Sequence, residues 1–134
     1  MPEKRTLARA AKAKRRGKAP STQAGEFVRE EMEHIRKGKH GARSTRQAIA
    51  IGLSKARRAG VKLKPPKKGS ASAATRKHAE RDYAKGQSGS RRKPSAKRSR
   101  ATSNALKREG HRAASKRSLS RQARSAAARR KRAA

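Results

Sequence analysis

Large apolar side chains are few in this chain, and their spacing predicts helices in one stretch. Val28, Met32 and Ile35 recur at i, i+4 and i+7, which is the repeat of one helix face. A first helix is therefore expected over about residues 23–37. Acidic residues crowd its beginning and basic residues its end, which suits the helix dipole. Gly38 then provides a natural stop.

A second helix is predicted after a link that contains two glycines. Ser44 and Gln47 have the spacing of a capping box, in which the side chains of the cap and of the third helical residue bond backbone N–H groups reciprocally. An apolar face then repeats at Ile49, Leu53 and Ala56. The pattern predicts a helix with the same i, i+4, i+7 spacing as the first.

These two helices predict a small helix-loop-helix over about residues 23–63, which Gly60 and the prolines at 65 and 66 bring to an end. Gly52 lies on the inner face of the second helix, where it lets the helices approach closely. A core of this size is marginal, since domains below about 40 residues usually need additional support. The predicted core residues are Phe27, Val28, Met32, Ile35, Ile49, Leu53, Val61 and Leu63.

Charge changes the expectation for the rest of the chain. Forty-two Lys and Arg residues face eight Asp and Glu residues, a formal net charge of +34, and repulsion on that scale opposes a compact state. Burying one large apolar side chain contributes about 1.5–3 kcal/mol, whereas ordering each residue costs about 1–2 kcal/mol. We therefore expect a mostly disordered chain with all-α elements, in which basic arms flank the hairpin and become helical on nucleic acid.

The expected organisation has four segments. The third of them contains a helix over 70–85, with Ser70 as its cap and Gly86 as its stop, and the fourth contains helices over 96–109 and 114–132. The segments are a basic disordered arm (1–20), the helical hairpin (21–64), a basic low-complexity linker (65–95) and a basic Ala-rich tail (96–134).

The charge predicts a nucleic-acid partner. DNA carries one negative charge per roughly 1.7 Å of its axis, and Lys and Arg bind it by displacing condensed counterions. A membrane partner is not expected, because no apolar run approaches the roughly 20 residues that span a bilayer. The predicted nucleic-acid-binding residues are Lys39, Arg43, Arg46, Gln47, Lys55, Arg57, Arg58, Arg91, Arg92, Lys93, Lys97, Arg98, Arg100, Lys107, Arg108, Arg112, Lys116, Arg117, Arg121, Arg124, Arg129, Arg130, Lys131 and Arg132.

Enzyme chemistry and metal binding are not expected. The chain has no cysteine, and no phosphate-cradling or nucleophile motif is present. Glu31 and His34 have the Glu-x-x-His spacing of carboxylate-bridged di-iron bundles, but those sites need a second copy on another helix. We interpret this pair as helix-surface residues and regard His40, His78 and His111 as dispersed. No catalytic residue, metal ligand or cofactor is therefore predicted.

Two stretches resemble a known bacterial family. EFVREEMEHIRKGKHGARSTRQAIAIGLSKARRAGVKL (residues 26–63) is similar to a small domain of unknown function that is common in proteobacteria, and residues 104–130 resemble the basic tail in the same family. Proteins of that family tend to carry labels such as DNA-binding or plasmid stabilisation. The resemblance implies a bacterial, nucleoid-associated role and brings no catalytic residues with it.

The leading expectation is a nucleoid-associated, histone-like protein of the bacterial cytoplasm that binds DNA non-specifically by neutralising phosphates. One alternative is an RNA- or ribosome-associated basic protein, which composition barely distinguishes from a DNA binder. The other is an adaptor whose acidic first helix docks a protein through Glu26, Glu30, Glu31 and Glu33.

Overall fold

Helices occupy most of the chain in the computed structural model, which describes residues 2–89 and 93–133. Within these residues there is no strand, only an isolated bridge between Lys68 and Ala71. A 3₁₀ turn at Arg112–Ala114 precedes the last helix. The helices of the described part are α1 (Lys4–Arg15), α2 (Pro20–Arg36), α3 (Thr45–Arg58), α4 (Ala73–Gln87), α5 (Ala96–Lys107) and α6 (Lys116–Ala133).

The all-α part of the expected fold class is confirmed, and the mostly disordered part is wrong. Residues 1–20, expected to be a disordered arm, contain α1, and the Ala-rich tail contains α5 and α6. The expectation failed because it counted only large apolar side chains. Small residues form most of the interior instead: Ala10, Ala24, Ala42, Ala48, Ala56, Ala79, Ala113 and Ala114 are all buried.

The chain divides into two compact units, each made of two separate stretches. The first unit comprises Met1–Glu30 and Ala50–Lys93, and the second comprises Glu31–Ile49 and Pro94–Ala134. In the first, the core cluster is Ala10, Ala24, Phe27, Ala56 and Val61, with Leu53 and Leu63 packed against it. In the second, the buried apolar residues are Met32, Ile35, Ala42, Ala48, Ala113 and Ala114.

The predicted hairpin core is therefore distributed over two cores. Phe27, Met32, Ile35 and Val61 are buried as expected, whereas the other four predicted members are only half-buried. The helix that contains Val28, Met32 and Ile35 also begins earlier than predicted, at Pro20. Proline is favoured at the first position of a helix, because its fixed φ is helical and its missing N–H needs no partner there.

Two glycines allow close backbone contacts in the first unit. A Cβ at Gly52 would lie 2.7 Å from the Cα of Val28, which confirms the predicted close approach of α3 to α2. A Cβ at Gly86 would collide with the carbonyl oxygen of Arg57. Gly86 is therefore not the stop that was predicted, since α4 runs through it to Gln87. The absence of a side chain at Gly86 lets the backbone of α4 pack on the end of α3.

The beginnings of α3 and α4 show which hydroxyl caps each helix. The capping box of α3 is present, since Ser44 Oγ accepts from the Gln47 N–H at 3.1 Å, while Gln47 Oε1 accepts from the N–H of Arg43, one residue before the cap. Helix α4 begins three residues later than predicted. Its cap is Ser72 rather than Ser70, whose hydroxyl donates to a carbonyl in the preceding turn.

We expect Gly52→Ala to lower the free energy of unfolding by about 1–3 kcal/mol, because the added methyl group overpacks the contact with Val28. Gly25→Ala is the matched control, since Gly25 also lies in a helix but has open space at its Cβ position. That change should stabilise the protein by about 1 kcal/mol through helix propensity. Denaturant unfolding followed by circular dichroism measures both values, and equal stability of the two variants would contradict the packing described here.

Candidate nucleic-acid interface

Helix α6 carries a row of cations on one face. Arg117, Arg121, Arg124 and Lys131 follow one another at i, i+4, i+7 and i+14, positions that share one side of a helix, and all four are exposed. At 1.5 Å per residue the row is about 21 Å long. No acidic residue occurs in α6. These four residues are called the α6 basic stripe below.

The opposite side of α6 is the one that packs. Leu119, Gln122 and Ala126 recur at i, i+3 and i+7 and are half-buried, while no residue of this helix is fully buried. The helix thus contacts the protein through one narrow face, and its remaining surface is exposed. Its cations are consequently presented to solvent along its length.

Side chains from earlier in the sequence fix the beginning of α6. The 3₁₀ turn before it has two carbonyls that accept hydrogen bonds: Ala113 O from Thr45 Oγ1 at 2.7 Å, and Ala114 O from Arg36 Nε at 2.9 Å. Ser115 then caps the first turn of the helix. All of these groups belong to the second unit, so the base of α6 is held in place there.

Three arginines of α6 surround a surface hollow of about 370 Å³. The hollow is lined by Arg117, Ser120, Arg121 and Arg124. Arginine side chains suit phosphate, because their planar N–H forks match its oxygens. Helix α5 adds a second exposed group of cations without an acid or a buried residue, namely Lys97, Arg98, Arg100 and Lys107.

Carboxylates, by contrast, are used inside the fold. The buried Glu30 side chain accepts from the backbone N–H of Glu3 at 2.6 Å and from Thr6 Oγ1 at 3.2 Å. It therefore supplies a negative charge at the beginning of α1, where the helix dipole and unsatisfied N–H groups favour one. This contact explains why α1 forms although its own N-cap side chain makes no capping bond.

Asp82 has a similar internal role in the first unit. Its carboxylate accepts from the hydroxyl of Ser54 at 2.7 Å and lies 3.8 Å from the guanidinium of Arg58. This residue joins α4 to α3 through a neutral and a charged partner. Its charge is thereby partly balanced within the fold.

The acidic residues of α2 do not form an exposed face. Glu30 and Glu31 are buried, and Glu26 and Glu33 are half-buried. The alternative that predicted a protein-docking surface from these four residues therefore loses two of them to the interior. The sequence interpretation of Glu31 as a helix-surface residue is wrong for the same reason.

One predicted phosphate ligand, Arg57, is buried. Its Nε donates to Leu63 O at 3.1 Å and its Nη2 to Lys64 O at 3.4 Å, so the guanidinium holds the chain that leaves α3. Burial lowers the pKa of Arg57 from its ordinary value, and the charge of Asp82 opposes that shift. The residue is engaged with backbone rather than presented to solvent.

The other predicted ligands lie mostly at the surface. Gln47 and Lys55 are half-buried, while Arg91 and Arg92 lie outside the described residues. Helices α3, α5 and α6 all lack acids, but in α3 Arg57 is buried and Lys55 is half-buried, whereas the predicted ligands on α5 and α6 are all exposed. The exposed members are Lys39, Arg43, Arg46, Arg58, Lys93, Lys97, Arg98, Arg100, Lys107, Arg108, Arg112, Lys116, Arg117, Arg121, Arg124, Arg129, Arg130, Lys131 and Arg132.

Sequence reasoning missed the cations of α1, because that segment was expected to be a disordered arm. The signal was a repeat of small residues: Thr6 and Ala10 are buried at i and i+4, and the half-buried Ala13 follows at i+7. The exposed cations at the end of this helix are Lys12, Lys14, Arg15 and Arg16.

Residues 4–68 match a family of unknown function, DUF6496. The match covers just under half of the 134 residues, so the resemblance to a domain of unknown function holds at that level. No curated protein and no solved structure matches the chain. The DUF6496 match begins at the first residue of α1 and extends ten residues past α3, whereas the α6 basic stripe lies outside it.

A membrane-spanning helix is absent from residues 2–89 and 93–133, where none of the helices is both long and apolar enough.

Within the DUF6496 match, Arg57→Lys should lower the free energy of unfolding by about 1–3 kcal/mol, because two backbone carbonyls lose a guanidinium partner. The matched control is Arg46→Lys, at an exposed position of α3, which should change stability by less than about 0.5 kcal/mol. Thermal unfolding measures both, and both variants keep the net charge. A stability of Arg57→Lys equal to that of the control would contradict the structural role of Arg57.

Proposed function

We propose that this protein binds duplex DNA non-specifically, by neutralising phosphates, and that it catalyses no reaction. The observation that carries the proposal is the imbalance of 42 basic against eight acidic residues, together with the internal use of several of those acids. A surface with this excess of cations attracts polyanions by counterion release. Binding of this kind positions a protein on DNA without reading its bases.

The α6 basic stripe is the main contact in this proposal. Helix α1 carries cations at comparable spacing, but two of them have acidic neighbours: Arg5 lies 3.0 Å from Glu3, and Arg9 lies 4.0 Å from Glu26. Among the described residues no cation of α6 forms an ion pair with an acid, so the field of its stripe is not reduced in this way. Phosphates should therefore bind more strongly along α6 than along α1.

Duplex DNA fits this helix better than RNA does. The major groove of B-DNA is about 12 Å wide and admits an α-helix, whereas the major groove of A-form RNA is deep and narrow. Single strands are bound largely by stacking on aromatic side chains. The chain has one Phe and one Tyr, and Phe27 is buried while Tyr83 is half-buried.

The proposal includes a location at the bacterial nucleoid. Its support is what the sequence resemblance of residues 26–63 and 104–130 implies, a bacterial protein with a DNA-binding label; the family match covers the first of these stretches and assigns no function. The second of these stretches contains most of the α6 basic stripe. A histone-like protein that covers DNA without sequence preference is the corresponding role.

Replacing all four stripe residues (Arg117, Arg121, Arg124 and Lys131) by Gln should weaken binding to a short labelled DNA duplex by about fourfold to several hundredfold, since each exposed ion pair contributes about 0.2–1 kcal/mol. The control replaces Lys12, Lys14 and Arg15 of α1 and the adjacent Arg16, all exposed, by Gln and removes the same charge. We expect the control to lose several-fold less affinity. Fluorescence anisotropy at constant salt measures both.

Two outcomes of this experiment would contradict the proposal in different ways. Equal losses in the two variants would mean that charge acts diffusely and that the α6 basic stripe is not the main contact. Tighter binding to a duplex RNA or to a single strand of equal length than to duplex DNA would exclude DNA as the preferred partner. Circular dichroism of each variant verifies that its helices are retained.

A further inference from the structure

Three potential metal ligands meet at the end of α2. Glu31 and His34 lie on its last turns, and His40 follows in the loop. The Nε2 atom of His40 is 3.2 Å from Oε2 of Glu31, and one ligand atom from each of the three residues lies within 4.8 Å of the others. The three belong to the second unit, and none belongs to the proposed DNA contact.

A neutral His40 would place two acceptor atoms against each other at Glu31. Its Nδ1 is 2.9 Å from the carbonyl oxygen of Gly41, which only accepts, so Nδ1 carries a proton and donates it. In a neutral imidazole Nε2 then has a lone pair. That lone pair would face the Glu31 carboxylate at 3.2 Å, and two acceptors repel at this distance. A proton on either His40 or Glu31, or a metal ion bound by both, resolves the conflict.

We propose that Glu31, His34 and His40 bind a divalent transition-metal ion of the zinc type. Two imidazole nitrogens and one carboxylate oxygen form a ligand set that zinc accepts. Zinc bonds of about 2.0–2.1 Å to nitrogen and oxygen place tetrahedral ligands about 3.3 Å apart, close to the observed separation of Nε2 and Oε2. The three residues occupy three positions and leave one for water.

The surroundings hold the ligands in position. Metal-binding imidazoles usually donate their second N–H to a carbonyl or carboxylate, and the Nδ1 bond to Gly41 is of this kind. The backbone after His40 is also fixed, because Gly41 N–H donates to Leu106 O at 2.8 Å and Ala42 N–H donates to Gly110 O at 3.0 Å. A Cβ at Gly41 would collide with the carbonyl of Glu109, so the loop fits this contact closely.

The two rings lie edge to face beside the buried acid. The planes of His34 and His40 make an angle of 83° and their centroids are 6.0 Å apart, so the rings do not stack on each other. Glu31 is fully buried, and the side chain of His40 is 16% exposed. A metal here would join the end of α2 to the loop that leads into α3.

The test is a titration of the full chain with Zn²⁺ after chelator treatment, in about 0.5 M salt, which screens the net charge and keeps nucleic acid off. Calorimetry should show one saturable site per chain. His34→Gln and His40→Gln should each weaken binding by roughly a hundredfold or more, since loss of a supporting group alone costs about 10–100-fold. The control is His78→Gln, which removes an exposed histidine of the first unit and should leave binding unchanged.

A second readout separates a metal ion from a proton. Co²⁺ bound at this site should give the intense visible absorption of a four-coordinate ion, and the imidazole nitrogen resonances of His40 should shift on Zn²⁺ addition. The proposal is overturned if no saturable site is found, or if both ligand variants bind as tightly as the His78→Gln control. It is equally overturned if His40 carries protons on both nitrogens and its resonances ignore Zn²⁺, which would leave an ion pair with Glu31 alone.

Discussion

The eight carboxylates of this chain are far outnumbered by its 42 cations, and the fold depends on where several of them are placed. Glu30 satisfies the beginning of α1, and Asp82 joins α4 to α3. Glu31 faces His40. Each of these three carboxylates makes an internal contact that a basic side chain could not replace, since N–H groups and cations need an acceptor. Because these carboxylates make contacts inside the fold, the charge at the surface is mainly positive.

Small residues make the folded state compatible with so few large apolar side chains. Alanines fill the interior of both units, and Gly52 and Gly86 allow backbone contacts that a methyl group would prevent. Periodicity predicts α2 and α3 because the apolar face of each helix contains large aliphatic residues. It missed α1, whose buried face is Thr6 and Ala10, because small residues give no contrast in a sequence rich in alanine. Gly86 looked like a stop because sequence alone does not reveal that another helix approaches it.

The candidate interface was only partly accessible to sequence reasoning. The cations of α6 follow directly from composition and helix spacing, but which side of α6 packs is known only from the burial of Leu119, Gln122 and Ala126. Arg57 and Arg58 are adjacent, yet one is buried and the other exposed. The difference arises because residues 63 and 64 return to Arg57 with their carbonyls, a feature of the turn after α3. The approach of His40 to Glu31 likewise depends on a turn, the one after α2, which brings His40 back to the end of that helix.

The central claim is that cations which the internal acids leave unbalanced bind DNA phosphates. The salt dependence of affinity tests it most directly, measured with the unmodified chain and a DNA duplex by anisotropy over a range of salt concentrations. A contact with the four residues of the α6 basic stripe predicts a slope of log K against log salt of about −3.6 or steeper, from about −0.9 for each phosphate. A slope between zero and about −1, with affinity retained at high salt, would contradict the account.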